Sequence, residues 1–447
     1  MPFNGLDTFF SFNRLSILTI GLILFVGLCV TQFSMPYMKG DTRYKPFFVQ
    51  LLSLIFSAIL MVSANNMLLL FIFWALSNAL LVRLMMHKLS WKAAKASGML
   101  AAKNYLISLG CIGSAFILFY LSTDQITIDL LIQSKTHSVL LMPALVLLAV
   151  GAMMQSAIWP FHRWLISSLN SPTPVSAIMH AGLINGGGFL LVRFAPLYLQ
   201  HSILLNCLFF MGLLTAFLGT LWKLMQSDIK RMLACSTMGQ MGFMFVQCGL
   251  GLFPAAVAHL IWHGIFKAYL FLSSNSAAQE KRFDIILTAK PLPFSCALFC
   301  GLITSICFGY ITGKSWFSGD TTLVLMVLTL IFGTQSSLSL LQIKPLQQLP
   351  VGLLLSALTG LLYGASVQSI AWFMDPLTLM QPQSLHFLHM LGILVLVLGW
   401  LYVLFLKPRL KSFSPRAWYL SHYVAHLNAS QPDASTITAH RNQYAYK

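Results

Sequence analysis

Three ionisable residues, His259, His263 and Lys267, recur at steps of four inside an otherwise apolar run from Pro254 to Leu272. Four residues advance about one turn of α-helix, so a helix over this run carries the three heads in a line, one turn apart. Ionisable groups are costly in a lipid-spanning segment and persist where they face a bundle interior or a wet cavity, which points to proton relay. Imidazole titrates near neutral pH and suits that work. Histidines that only hydrogen-bond neighbouring helices would show the same spacing, and the sequence by itself leaves that packing role open.

A second set lies upstream. Trp159-Pro160 closes one apolar span and Ser171-Pro172-Thr173-Pro174 opens the next. Thr173 is expected as the N-cap, with Pro174 at the first helical position, where a missing N–H costs nothing. Pro160, Pro172 and Pro174 thus mark helix breaks. The helix that follows carries His180, Asn185 and the run Gly186-Gly187-Gly188. Glycine lets backbones approach closely, and interrupted helices at membrane depth line cavities. Glycine packing around a core histidine bonded to a carbonyl is the alternative.

The elements that must position these residues are membrane spans. Hydrophobic residues make up 57% of the 447 and charged ones 8%, and stretches near the ~20 residues that cross a bilayer recur throughout. Thirteen spans are expected, near 15–33, 46–63, 66–86, 103–121, 138–159, 174–195, 203–222, 230–250, 254–272, 292–311, 321–341, 350–372 and 386–406. The chain therefore reads as all-α, a polytopic membrane helix bundle over 1–411 followed by a tail over 412–447. No small-residue cleavage site follows the first apolar stretch, so it is expected as a retained span.

Basic residues alternate by loop. Lys39, Arg43 and Lys45 lie in the first loop, His87, Lys88, Lys92 and Lys95 in the third, Arg163 in the fifth, and Lys223, Lys230 and Arg231 around the seventh. Lys281, Arg282 and Lys290 fall in the ninth, Lys344 in the eleventh, and Lys407, Arg409, Lys411 and Arg416 after the last span. The even loops are short, neutral or carry Asp124, Asp129 and Asp375. The positive-inside rule then places the odd loops and the C-terminus in the cytoplasm and the N-terminus outside. The net charge of +17 is one-sided loop charge rather than a nucleic-acid footprint.

Absences are informative too. All ten acidic residues map to expected loops, span edges or the tail, which disfavours carriers that bind sodium or protons on a midplane carboxylate. The eight cysteines contain no C-x-x-C pair and read as small core hydrophobes, without a metal site.

At this point a resemblance is carried by particular residues. The segment Ser171-Pro-Thr-Pro-Val-Ser-Ala-Ile-Met-His180-Ala, then Ser227-Asp-Ile-Lys-Arg-Met-Leu-Ala-Cys-Ser-Thr237, then His259-x3-His263-x3-Lys267-Ala, resembles the proton-conducting antiporter family. That family includes the large membrane subunits of respiratory complex I and the Mrp antiporters, and the likeness covers roughly residues 145–280. Within it, the runs from His180 to Pro196 and from Gln240 to Gly251 are most similar to the DabB type of membrane subunit in two-component inorganic-carbon transporters. The resemblance implies an antiporter-like fold with broken helices in a bacterial inner membrane. It also implies a proton or sodium pathway through His180, His259, His263 and Lys267, with Asn185 and Lys230 beside it. The implied partner is a cytoplasmic DabA-like zinc protein similar to beta-carbonic anhydrases, the pair handling CO2 or bicarbonate. Zinc is expected in that partner and no cofactor in this chain, which by itself is not expected to be an enzyme.

Two positions depart from the antiporter pattern. Where complex I subunits place a glutamate after a tryptophan, this chain has Trp74-Ala75, and where they place a lysine before Ser-Ala it has Gln155-Ser156-Ala157. A subunit of a cation/proton antiporter or complex I-like pump is therefore the second reading, and a non-conducting membrane anchor for a cytoplasmic enzyme the third. In the tail, Leu420, Tyr423, Val424 and Leu427 stand at amphipathic helical spacing beside Trp418, as a partner-docking or interfacial helix over 415–428. Beyond Ala429 the polar run has too little apolar content to order itself.

The loop charges generate a topology test. A reporter fused after Lys447 is expected to be active only as a cytoplasmic fusion, and one placed near Asp375 only on the outer face; both reporting the same face would overturn the thirteen-span orientation.

Overall fold

The computed structural model describes residues 8–134, 138–274, 290–406 and 417–437. The charges from Glu280 to Asp284 and from Lys407 to Arg416, and with them the 411/412 boundary, lie outside the described residues. In chain order the helices are α1 (Arg14–Tyr37), α2 (Tyr44–Ser63), α3 (Met67–Met85), α4 (Lys92–Thr123), the short α5 (Ile128–Gln133) and α6 (Leu141–Gln155). A single turn, α7 (Arg163–Ile166), leads to α8 (Thr173–Ala181), a 3-10 turn (Leu183–Asn185), α9 (Gly186–Arg193) and α10 (Ala195–Tyr198). Then come α11 (Ser202–Met225), α12 (Ile229–Gly249), α13 (Phe253–Leu272), α14 (Pro291–Thr312), α15 (Thr322–Leu341), α16 (Pro345–Met374), α17 (Phe387–Leu401) and α18 (Ala417–Ala429).

Each of the thirteen expected spans has a helical counterpart. Ten are long and apolar enough to cross a bilayer unaided, the broken α8–α9 segment counted as one. Leu141–Gln155 and Phe387–Leu401 are shorter, and α12 carries Lys230, Arg231, Gln240 and Gln247, so these three depend on their neighbours. Helix starts follow from local chemistry: Asn13 accepts from the Ser16 N–H at 2.9 Å, and Asp228 from the Arg231 N–H at 2.9 Å, each satisfying an orphan donor of a first turn.

Burial identifies the centre. In the spanning window of Thr173–Arg193, 89% of residues are buried, against 28–56% for the other nine. The broken helix is thus the axis, wrapped by α1, α3, α6, α12 and α13, while Leu24, Phe25 and Leu28 of α1 and Leu354, Leu358 and Leu362 of α16 turn outward, as a lipid solvent requires.

The chain is interrupted between α6 and α8, where the prolines stand, and again deeper in the bundle. Thr173 is the first helical residue rather than the cap; Pro172 flanks the start without any side-chain cap bond. The second interruption lies at Gly182–Asn185, where Gly182 takes φ −117°, ψ −83° and the chain passes through a 3-10 turn before α9. Pro160 occupies the turn between α6 and α7.

Close helix contacts rest on small residues. Along α11 and α12 the backbones touch: a Cβ added at Gly212 would lie 2.6 Å from the Gly242 carbonyl oxygen and 2.6 Å from the Val246 nitrogen. At the basic end, His87 Nε2 lies 3.2 Å from Asp41 Oδ2, tying the α1–α2 loop to the end of α3. Burial works to raise the Asp41 carboxyl, but the Arg43 N–H and His87 outweigh it and hold it below the usual value of 3.8. That contact therefore contributes stability above pH 3.8, lost as pH falls through the lowered folded value. At the other end, buried Arg193 reaches Asp129 at 3.5 Å and Asn65 Oδ1 at 3.3 Å, fixing the end of α9.

Gly212→Ala is expected to force α11 from α12 and destabilise the bundle by roughly 1–3 kcal/mol, the usual cost of overpacking; thermal unfolding in detergent measures it, with Gly21→Ala, which meets no heavy atom within 4 Å, as the unaffected control.

Candidate functional site

The α13 histidines and lysine do share a face. His259 and His263 stack with ring centroids 5.8 Å apart at an interplanar angle of 15°. Phe243 of α12 packs edge-on to His259 at 5.2 Å. Lys267, one turn further on, is 1% exposed. Burying an ammonium group requires hydrogen-bond partners, and Lys267 Nζ donates to the Leu233 carbonyl of α12 at 3.2 Å.

That carbonyl is a meeting point. The Thr237 hydroxyl donates to the same Leu233 oxygen at 3.0 Å, and His180 Nδ1 of α8 lies 3.1 Å from Thr237 Oγ1. Phe271 stacks on the His180 ring at 4.3 Å and fixes its plane. Three helices thus bring His180, Thr237 and Lys267 around one backbone oxygen. Leu233 and Thr237 are i, i+4 on α12, so the turn that carries the hydroxyl also supplies the carbonyl.

The remaining expected residues fall at the two ends of this node. Lys230 Nζ reaches the Ser171 carbonyl at 3.5 Å, at the basic entrance to α8. Asn185 sits in the break, donating Nδ2 to the Ala181 carbonyl at 2.8 Å while Oδ1 has no partner. It also lines an apolar cavity of about 60 Å³ between α1, α2, the break and Leu260 of α13. Buried His259 Nε2 and His263 Nε2 likewise have no hydrogen-bond partner among the described residues.

Sequence reasoning missed three residues. Thr237 stands inside a motif already singled out, but its role needs the fold to bring His180 beside it. Asn78 pairs with Gln155, Asn78 Nδ2 donating to Gln155 Oε1 at 3.2 Å and Gln155 Nε2 to Asn78 Oδ1 at 3.1 Å. Gln247 of α12 is fully buried with neither amide atom partnered; its one signal is a glutamine in an apolar run. Among the described residues all eight cysteines are free thiols, Cys235, Cys248, Cys296 and Cys300 being buried.

The tail packs further than expected. Trp418 is 69% exposed, and Leu420, Tyr423 and Val424 of α18 are exposed too, while Leu427 is half-buried. After α18 the chain lies against the basic end of the bundle. The Asp433 N–H donates to Ser167 Oγ at 2.9 Å, Asn170 Nδ2 to the Thr436 carbonyl at 2.8 Å, Gln226 Nε2 to Ser430 Oγ at 2.8 Å and Arg231 Nη1 to Gln431 Oε1 at 2.9 Å. Polar bonds to loops, rather than apolar burial, order Ser430–Ile437; hence composition gave no sign of it. Hydrogen bonds from the Ser435 hydroxyl and N–H hold the Asp433 carboxyl below its usual value, with Arg163 and Lys103 adding to the effect.

Comparison with known proteins gives the following. Residues 64–313, more than half of the chain, match the family model described as NADH:quinone oxidoreductase/Mrp antiporter, TM, and residues 4–48 match that of the complex I chain 5 N-terminus. The chain is 38% identical over 265 residues to the probable inorganic carbon transporter subunit DabB1 of Halothiobacillus neapolitanus, covering 58% of this chain and 47% of that protein. It is 34% identical over 269 residues to the probable inorganic carbon transporter subunit DabB of Bacillus subtilis, covering 59% and 53%. To the chloroplastic NAD(P)H-quinone oxidoreductase subunit 5 of Carpenteria californica it is 33% identical, covering 61% and 38%. The chain thus spans about half the length of the curated relatives it matches. The Mrp complex of Dietzia shares its fold, with a TM-score of 0.61 at 20% identity over 94% of this chain and 52% of that one.

Ser167→Ala combined with Asn170→Ala removes two of the four tail contacts. Backbone hydrogen exchange across 430–437 is expected to rise by about tenfold, the equivalent of 1.4 kcal/mol, with exchange in α8 and α13 unchanged; unaltered protection of 430–437 would contradict the docking.

Proposed function

Since the chain belongs to the NADH:quinone oxidoreductase/Mrp antiporter transmembrane family, we propose that it is the membrane subunit of a two-component uptake system for dissolved inorganic carbon. In this reading it conducts protons or sodium across the bacterial inner membrane and so energises a cytoplasmic DabA-like zinc partner that handles CO2 or bicarbonate. The inorganic-carbon relatives from two organisms support the substrate class. The observation that carries the mechanism is the Leu233 carbonyl shared by Thr237 and Lys267, with His180 bonded to the Thr237 hydroxyl.

The chemistry follows from that geometry. A proton entering at the basic end meets Lys230 beside Ser171, then the His180–Thr237 pair. The Thr237 hydroxyl donates to the Leu233 carbonyl and pairs with the His180 imidazole, and Lys267 donates to the same oxygen; the carbonyl takes no proton itself and serves to hold His180 and Lys267 as neighbouring stations. From Lys267 the route continues along α13 to His263 and His259. The two rings stack at 5.8 Å between centroids and stand as successive stations along the helix. Zinc belongs to the partner, and the exposed face of Trp418, Leu420 and Tyr423 on α18, with Leu427 at its border, is where that partner docks.

A complex I-like or antiporter pump is the second reading, favoured by the chloroplast relative. The neutral Asn78–Gln155 pair weighs against it, because it offers no exchangeable charge at that station.

Co-expression with a DabA-like partner is expected to support growth of a carbonic-anhydrase-deficient host in ambient air, where this chain alone does not. Lys267→Ala and His263→Ala are expected to lower uncoupler-sensitive uptake of labelled inorganic carbon by about a hundredfold, the scale a positioned proton-transfer group contributes, while the complex still co-purifies. Near-normal uptake in both assembled variants would assign the line to packing.

A further inference from the structure

We propose that Gln155 and Ser156, with Asn78 behind them, are positioning residues that hold the central helix broken at Gly182–Asn185. This rests on the proton-pathway reading for its consequence, though not for its geometry. The two residues close α6 side by side, and each donates to the break: Gln155 Nε2 to the Leu183 carbonyl at 3.2 Å and Ser156 Oγ to the Ile184 carbonyl at 2.7 Å. Consecutive donors on one helix end thus engage consecutive carbonyls of the 3-10 turn. Asn185 returns a third bond to the Ala181 carbonyl.

Gln155 is aimed by Asn78. Its two amide hydrogens go to the Leu183 carbonyl and to Asn78 Oδ1, and its oxygen accepts from Asn78 Nδ2, so the amide cannot flip without losing a bond. Asn78, Gln155 and Ser156 are 3%, 2% and 0% exposed, so these bonds lie away from bulk solvent. Close approach is possible because Gly187 faces α6: a Cβ there would collide with the Ala152 carbonyl and Ser156 Oγ.

The neutrality of this lock has a functional meaning. Neither amide nor hydroxyl titrates at physiological pH, so the break keeps its shape while histidines nearby gain and lose protons. An ion pair at the same place would change strength with every charge that passed.

The test uses the full chain co-expressed with its partner, in the variants Gln155→Leu, Ser156→Ala and the swap Asn78→Gln/Gln155→Asn. Backbone hydrogen exchange over 182–188 is measured beside inorganic-carbon uptake and its pH profile. Gln155→Leu is expected to raise exchange at the break at least about tenfold and to lower uptake in the assembled complex; Ser156→Ala does both to a smaller degree, and the swap, which restores a reciprocal amide pair, recovers protection and uptake. Wild-type exchange at the break in Gln155→Leu and Ser156→Ala overturns the proposal, as does a swap no better than Gln155→Leu. Should Gln155→Leu fail to accumulate, Ser156→Ala and the swap decide by the same readouts. If the wild-type pair takes up no inorganic carbon, the functional reading fails, while the exchange arm still decides whether these residues hold the break.

Discussion

Everything in this bundle depends on one constraint: a helix interrupted at membrane depth must find partners for its backbone from somewhere other than water. The chain meets it with side chains. Asn185, Gln155 and Ser156 donate to the Ala181, Leu183 and Ile184 carbonyls, and the glycines at 186–188 let α6, α3 and α12 close around the turn. Leaving one such group unpaired costs about 1–3 kcal/mol, so the break persists because α6 supplies what an unbroken helix would have supplied itself.

The interruption in turn determines where chemistry can occur. Ending α8 at Ala181 leaves His180 in its last turn, facing α12 and α13. There the Leu233 carbonyl serves both a hydroxyl and an ammonium. A backbone carbonyl is suited to this role because it has two lone pairs and no proton of its own to exchange. The node joins a histidine to a lysine through a hydroxyl and a backbone oxygen.

At the basic end, the same elements reach the surface. Ser167 and Asn170, between α7 and α8, and Arg231 in the first turn of α12 are also the residues that hold Ser430–Thr436. The tail thus rests on the same loops and helix start from which α8 and α12 enter the bundle.

Much of this was legible before any coordinates. Hydropathy marked thirteen spans and each has its helix, because span length and apolar content are local properties set by bilayer thickness. The i+4 spacing of His259, His263 and Lys267 placed them on one face for the same reason: helical periodicity is local. Tertiary structure decided the rest. Thr173 did not cap its helix, a second break stands at Gly182–Asn185 beyond the one at the prolines, and polar residues beyond Ala429 docked where composition offered no reason to order. Asn78 meets Gln155, and His180 meets Thr237, only because helices distant in the chain pack side by side. Hydrogen-bond partners across such contacts are determined by packing in three dimensions, and no periodicity within a single helix encodes them.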